Sequence, residues 1–206
     1  MPQNQIFAQL DGARRIWAIA AIHGNADRLR SLHAQLLPKL TRGDRLVYLG
    51  NYLGLGYGVV ATLDELLAAR TSALCVSGME PWDIAYLRGA QEEMWDKLLQ
   101  IQFAASPGEV LDWMYKRGVT ATVEAYGGDV EMGRRCARDG AVALTQWTTG
   151  LREAMRAHPG HDTLVSELKR AAVADDMSAV FVNAGIDWNQ PLGEQNDSFW
   201  WGGEGF

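Results

Sequence analysis

His23 and Asn51 are the polar side chains that this sequence most clearly carries to a common place. Residues 17–25 read Trp-Ala-Ile-Ala-Ala-Ile-His-Gly-Asn, and residues 43–52 read Gly-Asp-Arg-Leu-Val-Tyr-Leu-Gly-Asn-Tyr. Each is an apolar run that stops at a Gly-containing turn, which is how a buried strand delivers polar groups to the edge of a sheet. An imidazole there could ligate a metal or carry a proton, or could donate to a backbone carbonyl and hold the loop. A primary amide is neutral and makes a much weaker metal ligand than a carboxylate. The glycine-rich stretch 50–58 lacks the Lys and Ser/Thr of a phosphate-binding loop, so it is read as a strand end rather than a phosphate cradle. Of the other histidines, His33 falls on the solvated side of a helix, His158 precedes a proline at an exposed break, and His161 caps or packs a helix.

The elements that must position these groups alternate. A strand is predicted over about 15–21, a helix capped by Asn25 over about 26–37, a strand over about 45–49, a helix over about 59–69 and a strand over about 72–77. This β-α-β-α-β order implies an α/β fold with parallel strands. Pro81 then opens a helical stretch to about 172, in which Ser106-Pro107-Gly108-Glu109 reads as a capping box and Asp129 as a cap; a strand follows at about 178–183. The chain reads as one domain, 1–206, with a helical insert over about 81–172.

Composition narrows the function classes. A net charge of −6 argues against nucleic-acid or anionic-membrane binding. No apolar run is long enough to span a bilayer, and the N-terminus has no secretory pattern, so the expected location is cytoplasmic. Cys75 and Cys136 are read as reduced, buried residues.

Taken in order, several segments resemble the calcineurin-like metallophosphoesterases, and most of all the branch of bacterial serine/threonine protein phosphatases and diadenosine tetraphosphatases. The segment ending Ile22-His23-Gly24-Asn25 resembles that family's D-x-H-G-N, and Gly50-Asn51 onward resembles G-D-x-x-D-R-G. Cys75 to Glu80 is set against the strand that ends in G-N-H-E. Trp113 to Gly118 with Thr122 and Tyr126-Gly127 is set against W-x-x-x-G-G-x-x-T-x-x-S-Y-G, and Phe181 to Ile186 against F-V-H-A-G-I. Pro191-Leu192, Gln195, Trp201 and Phe206 resemble the segment after it. The resemblance implies the calcineurin-like fold, with central sheets flanked by helices. Because no counterpart of the last metal-binding His motif precedes Phe206, it also implies an incomplete C-terminal sheet.

The family's chemistry is two-metal hydrolysis, in which two cations about 3.5–4 Å apart activate a bridging water and clamp the phosphate. On this alignment Ala21 and Asn51 stand at two metal-binding aspartates, Gly78 at the ligating Asn and Met79 at the proton-donating His. Asn183 stands at another ligating His, and Gly54, Leu55 and Gly203 replace the Asp and Arg of D-R-G and a further phosphate-binding Arg. Only His23 survives, so His23, Asn51 and Asn183 are the remnant metal candidates. Without other ligands His23 reads as a residue that holds its loop.

The resemblance therefore implies a catalytically degraded phosphoesterase-like protein that acts by binding, as a regulatory or scaffold subunit, with no cofactor. One alternative is an active phosphoesterase with a rearranged or one-metal site on His23, Asn51, Asn183 and Asp187, using Mn, Fe or Zn. Another is an interaction module whose old cleft is filled as core. Tyr52, Leu53, Tyr57, Met79, Trp82, Trp200 and Trp201 are expected near the cleft mouth as a ligand or partner surface. The expected partners are a second copy of the chain, an unknown protein or a small molecule.

Overall fold

The computed structural model describes residues 6–202. Two three-stranded sheets face each other among these residues. The first is fully parallel, with β2 (Arg15–Ile19), β3 (Asp44–Tyr48) and β4 (Ile84–Tyr86) in that spatial order. The second sets β1 (Phe7–Gln9) parallel to β5 (Ala171–Val173), and β5 antiparallel to β6 (Val180–Phe181). The sheets are stitched backbone to backbone at Lys169, whose N–H donates to the Tyr86 carbonyl and whose carbonyl accepts from the Arg88 N–H, each at 2.8 Å.

Period-2 alternation sorts the side chains into layers. Leu46, Tyr48, Ile84 and Tyr86 point to the side on which α1 (Ala26–Leu36) and α2 (Val59–Leu74) bury Leu29, Leu36, Leu63 and Leu66. Val47, Ala85 and Leu87 point the other way and meet Leu10 and Ala172 between the sheets. On the far side of the second sheet, Phe7, Ala171 and Val173 pack on Phe199 and Trp200 of the short helix α9 (Ser198–Trp201). Helix, sheet, sheet and helix therefore form four layers. Between β4 and β5 the chain is helical: α3 (Ala90–Leu98), α4 (Pro107–Lys116), α5 (Thr120–Ala125), α6 (Val130–Asp139), α7 (Ala141–Arg156) and α8 (His161–Ser166).

Several sequence expectations need correction. The run 72–77 is not a strand: α2 continues to Leu74, Cys75 is its exposed C-terminal cap, and the third parallel strand comes ten residues later at Ile84–Tyr86. The expected helix at 162–172 ends at Ser166 and gives way to β5. Asn25 and Asp129 do cap their helices, through Arg28 N and Met132 N, whereas Ser106 makes no side-chain cap bond. His33 is buried rather than solvated, held between Glu65 (2.6 Å) and the Tyr48 hydroxyl (3.0 Å).

Candidate functional site

The C-terminal ends of β2, β3 and β4 open on one side of the first sheet, where parallel strands of α/β folds commonly present their functional loops. The loop after β3 is the hub. Gly50 takes a positive φ of 92°, and a Cβ there would lie 2.6 Å from the Gly89 nitrogen. The two loops after β3 and β4 thus meet backbone to backbone, a closeness that only glycine permits. Asn51 follows with φ 56°, and its carbonyl accepts both Ile22 N–H (3.1 Å) and His23 N–H (2.7 Å), which sets the turn after β2. His23 itself has φ 51°. Leu55, with φ 58°, is a branched residue in a region that disfavours it.

Asn51 is saturated. Its Oδ1 accepts the Gln91 N–H at 3.0 Å, and its Nδ2 donates to Asn183 Oδ1 at 3.4 Å. Asn183, just past β6 on the second sheet, returns its Nδ2 to the Leu49 carbonyl at 2.7 Å. His23, Asn51 and Asn183 are therefore brought together, and they border one cavity of about 290 Å³. Ala90, Gln91 and Met94 of α3 line it from one side, and Trp200 and Trp201 from the other. Arg117 is its cation, stacked on Trp113 with 4.5 Å between guanidinium and ring.

Glu92 went unnoticed in the sequence, and it holds the site together. Fully buried, its Oε2 accepts from Asn51 N (2.8 Å) and Gly89 N (2.9 Å), and its Oε1 from Tyr52 N (2.8 Å) and Leu53 N (3.0 Å). Burial pushes its pKa up and the four N–H groups pull it back. With both oxygens accepting twice, the arrangement is that of a carboxylate. No residue type marks that role in the sequence; only the Gly89 turn just ahead of α3 points to a strand end there.

The remaining candidates are dispersed. Gly78 and Met79 follow α2; Met79 is buried in the core and a Cβ at Gly78 would strike Arg42, so neither borders the cavity. Tyr52 and Leu53 are fully buried, with the Tyr52 hydroxyl on the Tyr48 and Leu87 carbonyls. Tyr57 is fully exposed and Trp82 borders a different cavity. Ala21 is exposed just ahead of the His23 turn. Gly54 packs on Gln91, where a Cβ would lie 2.0 Å from Oε1, and exposed Leu55 leans on Gly118. Asp187 makes a local turn by accepting Asn189 N at 2.9 Å. Gly203 lies outside the described residues.

Electrostatically the described lining carries one full charge, the Arg117 guanidinium. Desolvation lowers the His23 pKa, opposed by a bond to the Leu53 backbone, and His23 Nδ1 is buried with no partner. Among the described residues no carboxylate borders the cavity, and no three His, Cys, Asp or Glu side chains are grouped to share a metal ion. The amide oxygens of Asn51 and Asn183 are uncharged and each already accepts a hydrogen bond, and an uncharged donor set does not fit a dinuclear centre. What it can do is hydrogen-bond and stack a small guest. No helix is long and apolar enough to cross a membrane among the described residues. In comparisons with known proteins, the chain matches no family model and no curated protein.

Proposed function

We propose that this chain is a binding protein on a metallophosphoesterase-like scaffold in which the hydrolytic centre has been replaced by a hydrogen-bonded pocket that carries the Arg117 guanidinium. The observation that carries the reading is the state of Asn51. It stands at the strand end where the resembled family places its bridging Asp, yet its side chain is committed to Gln91 and Asn183. The four-layer arrangement and the strand-turn order around the cavity support the scaffold. With the third strand at Ile84–Tyr86, the pattern G-N-H-E falls on Gly89-Ala90-Gln91-Glu92 instead of Gly78-Met79. The first and last residues of that pattern are then kept, while Ala90 stands at a metal ligand and Gln91 at the proton donor. The guest would be a small molecule held by amides, imidazole, indoles and the Arg117 guanidinium.

The test is metal content by elemental analysis, together with hydrolysis of an aryl phosphate and a dinucleoside polyphosphate in added manganese. The expected result is neither bound metal nor turnover. The unpartnered His23 Nδ1 favours, as a second reading, a one-metal phosphoesterase. Near-stoichiometric metal, with turnover abolished by His23→Ala, would establish that reading and overturn the first. Restoring ligands with Ala21→Asp, Asn51→Asp, Ala90→Asn, Gln91→His and Asn183→His should confer manganese binding if the scaffold assignment holds.

A further inference from the structure

A second and larger cavity, about 810 Å³, shares no lining residue with the first. It opens between β1 of one sheet and β4 of the other, with α2 and α8 as further walls. Its volume lies within the range of small-molecule sites, about 300–1,000 Å³. Buried Phe7, Ile84, Tyr86 and Leu164 give it an apolar surface, and Trp82, 68% exposed, stands at its rim.

The charges on its wall are unequal in their commitments. Arg45 is paired with Asp83 at 2.9 Å and also donates to the Asp11 and Asp44 carbonyls. Lys169 is engaged as well. Asp11 and Glu167 are exposed, where solvent and salt screen them. Arg70 differs from all of these. It is half-buried on α2, close enough to bias the Tyr86 phenol, and makes no hydrogen bond or ion pair among the described residues. A guanidinium has five N–H donors, and one left unpaired beside an apolar surface is poised for an anion.

We propose that this cavity binds an amphiphilic monoanion, its apolar body against Phe7, Ile84 and Leu164 and its anionic head on Arg70. The body contributes apolar burial and the head a charge-assisted hydrogen bond, so an uncharged analogue should bind more weakly. The site is independent of the reading given to the first cavity.

The probes are decanoate, 1-decanol and decyltrimethylammonium, each below its micelle concentration, titrated by calorimetry and by tryptophan fluorescence. Decanoate should bind one to one, at least about tenfold tighter than decanol. Arg70→Met should remove that advantage while leaving decanol binding unchanged, and Leu67→Trp, which fills the cavity, should weaken both. Circular dichroism checks that the variants fold; the comparison of the three probes on the unaltered protein stands without them. Absence of saturable one-to-one binding overturns the proposal. So does equal affinity for decanoate and decanol, or preference for the cationic amphiphile, which would assign the wall's character to Asp11 and Glu167.

Discussion

Glu92 accepts the backbone N–H of Asn51 at 2.8 Å and so reaches across 41 positions of sequence to hold a left-handed residue in place. The same carboxylate takes three further N–H groups, from Tyr52, Leu53 and Gly89. Glu92→Gln keeps the shape but turns an NH2 group toward two N–H donors. It is expected to cost about 2–4 kcal/mol in urea unfolding, because buried donors lose their acceptor. A change within about 0.5 kcal/mol, the usual effect of a neutral surface substitution, would show that the carboxylate does not organise the loops.

Gly89 should be as intolerant as the side chain that clamps it. A Cβ there would lie 2.5 Å from both the Asn51 nitrogen and its Oδ1. Gly89→Ala is expected to destabilise by about 1–3 kcal/mol through overpacking against backbone. It should also change the fluorescence of Trp200 and Trp201 across the cavity. Gly108→Ala, where a Cβ meets nothing within 4 Å, is the control.

His161 makes the fold sensitive to mild acid. It is fully buried, with Nδ1 on the Tyr126 hydroxyl (2.9 Å) and Nε2 on Asp64 (3.1 Å). Desolvation lowers its pKa, with Asp64 opposing and His158, stacked at 5.0 Å, assisting. The unfolded chain therefore takes up a proton near the ordinary histidine value of about 6.5, before the folded one does. Stability is full above that pH and falls as pH drops toward the folded value. His23 acts in the same sense, so the contribution of His161 is isolated by comparing urea midpoints at pH 7.5 and 5.5 in wild type and His161→Gln. The variant should lose part of the difference; an unchanged difference would place the acid sensitivity elsewhere.

Asp44 carries the opposite pH signature. Its buried carboxylate accepts from Arg15 (2.7 and 3.0 Å), Trp17 and Thr41, and the Arg15 hydrogen bonds hold its pKa down to about 2. Its contribution is present above the ordinary value of 3.8 and is lost as pH falls toward 2. Asp44→Asn should destabilise by about 1–3 kcal/mol at pH 7, and the gap from wild type should close near pH 2. A gap that persists at pH 2 would mean that shape, not charge, decides at this position.

Much of the first sheet was legible because β2, α1 and β3 are bounded by strong local signals: Gly24, the Asn25 cap, and the Gly43 and Gly50 turns. The third strand was misplaced because 72–76 is a short apolar run with no breaker before Gly78. Such a run fits a helix end as well as a strand. The true strand is only three residues long, and pairing with β3, not its own pattern, makes it one. The convergence of His23, Asn51 and Asn183 was reachable from strand ends. The role of Glu92 was not, since its partners are backbone groups of a distant loop and carry no residue-type signal. Tyr57 and Trp82 are placed at the cleft by their nearness in sequence to segments aligned with site motifs, which says nothing about the direction of a side chain.

The contact between the Gly50 and Gly89 backbones bears on how this cleft can change over time. Its walls are positioned by main-chain atoms and one interior carboxylate, none of which projects into the open space. Of the side chains that do face that space, Asn51 and Asn183 also tie the loops together, whereas Ala90 and Met94 make no hydrogen bond to the frame. Substitutions at Ala90 or Met94, which line the space without bonding to the frame, can therefore change what the cleft contacts and leave its outline in place.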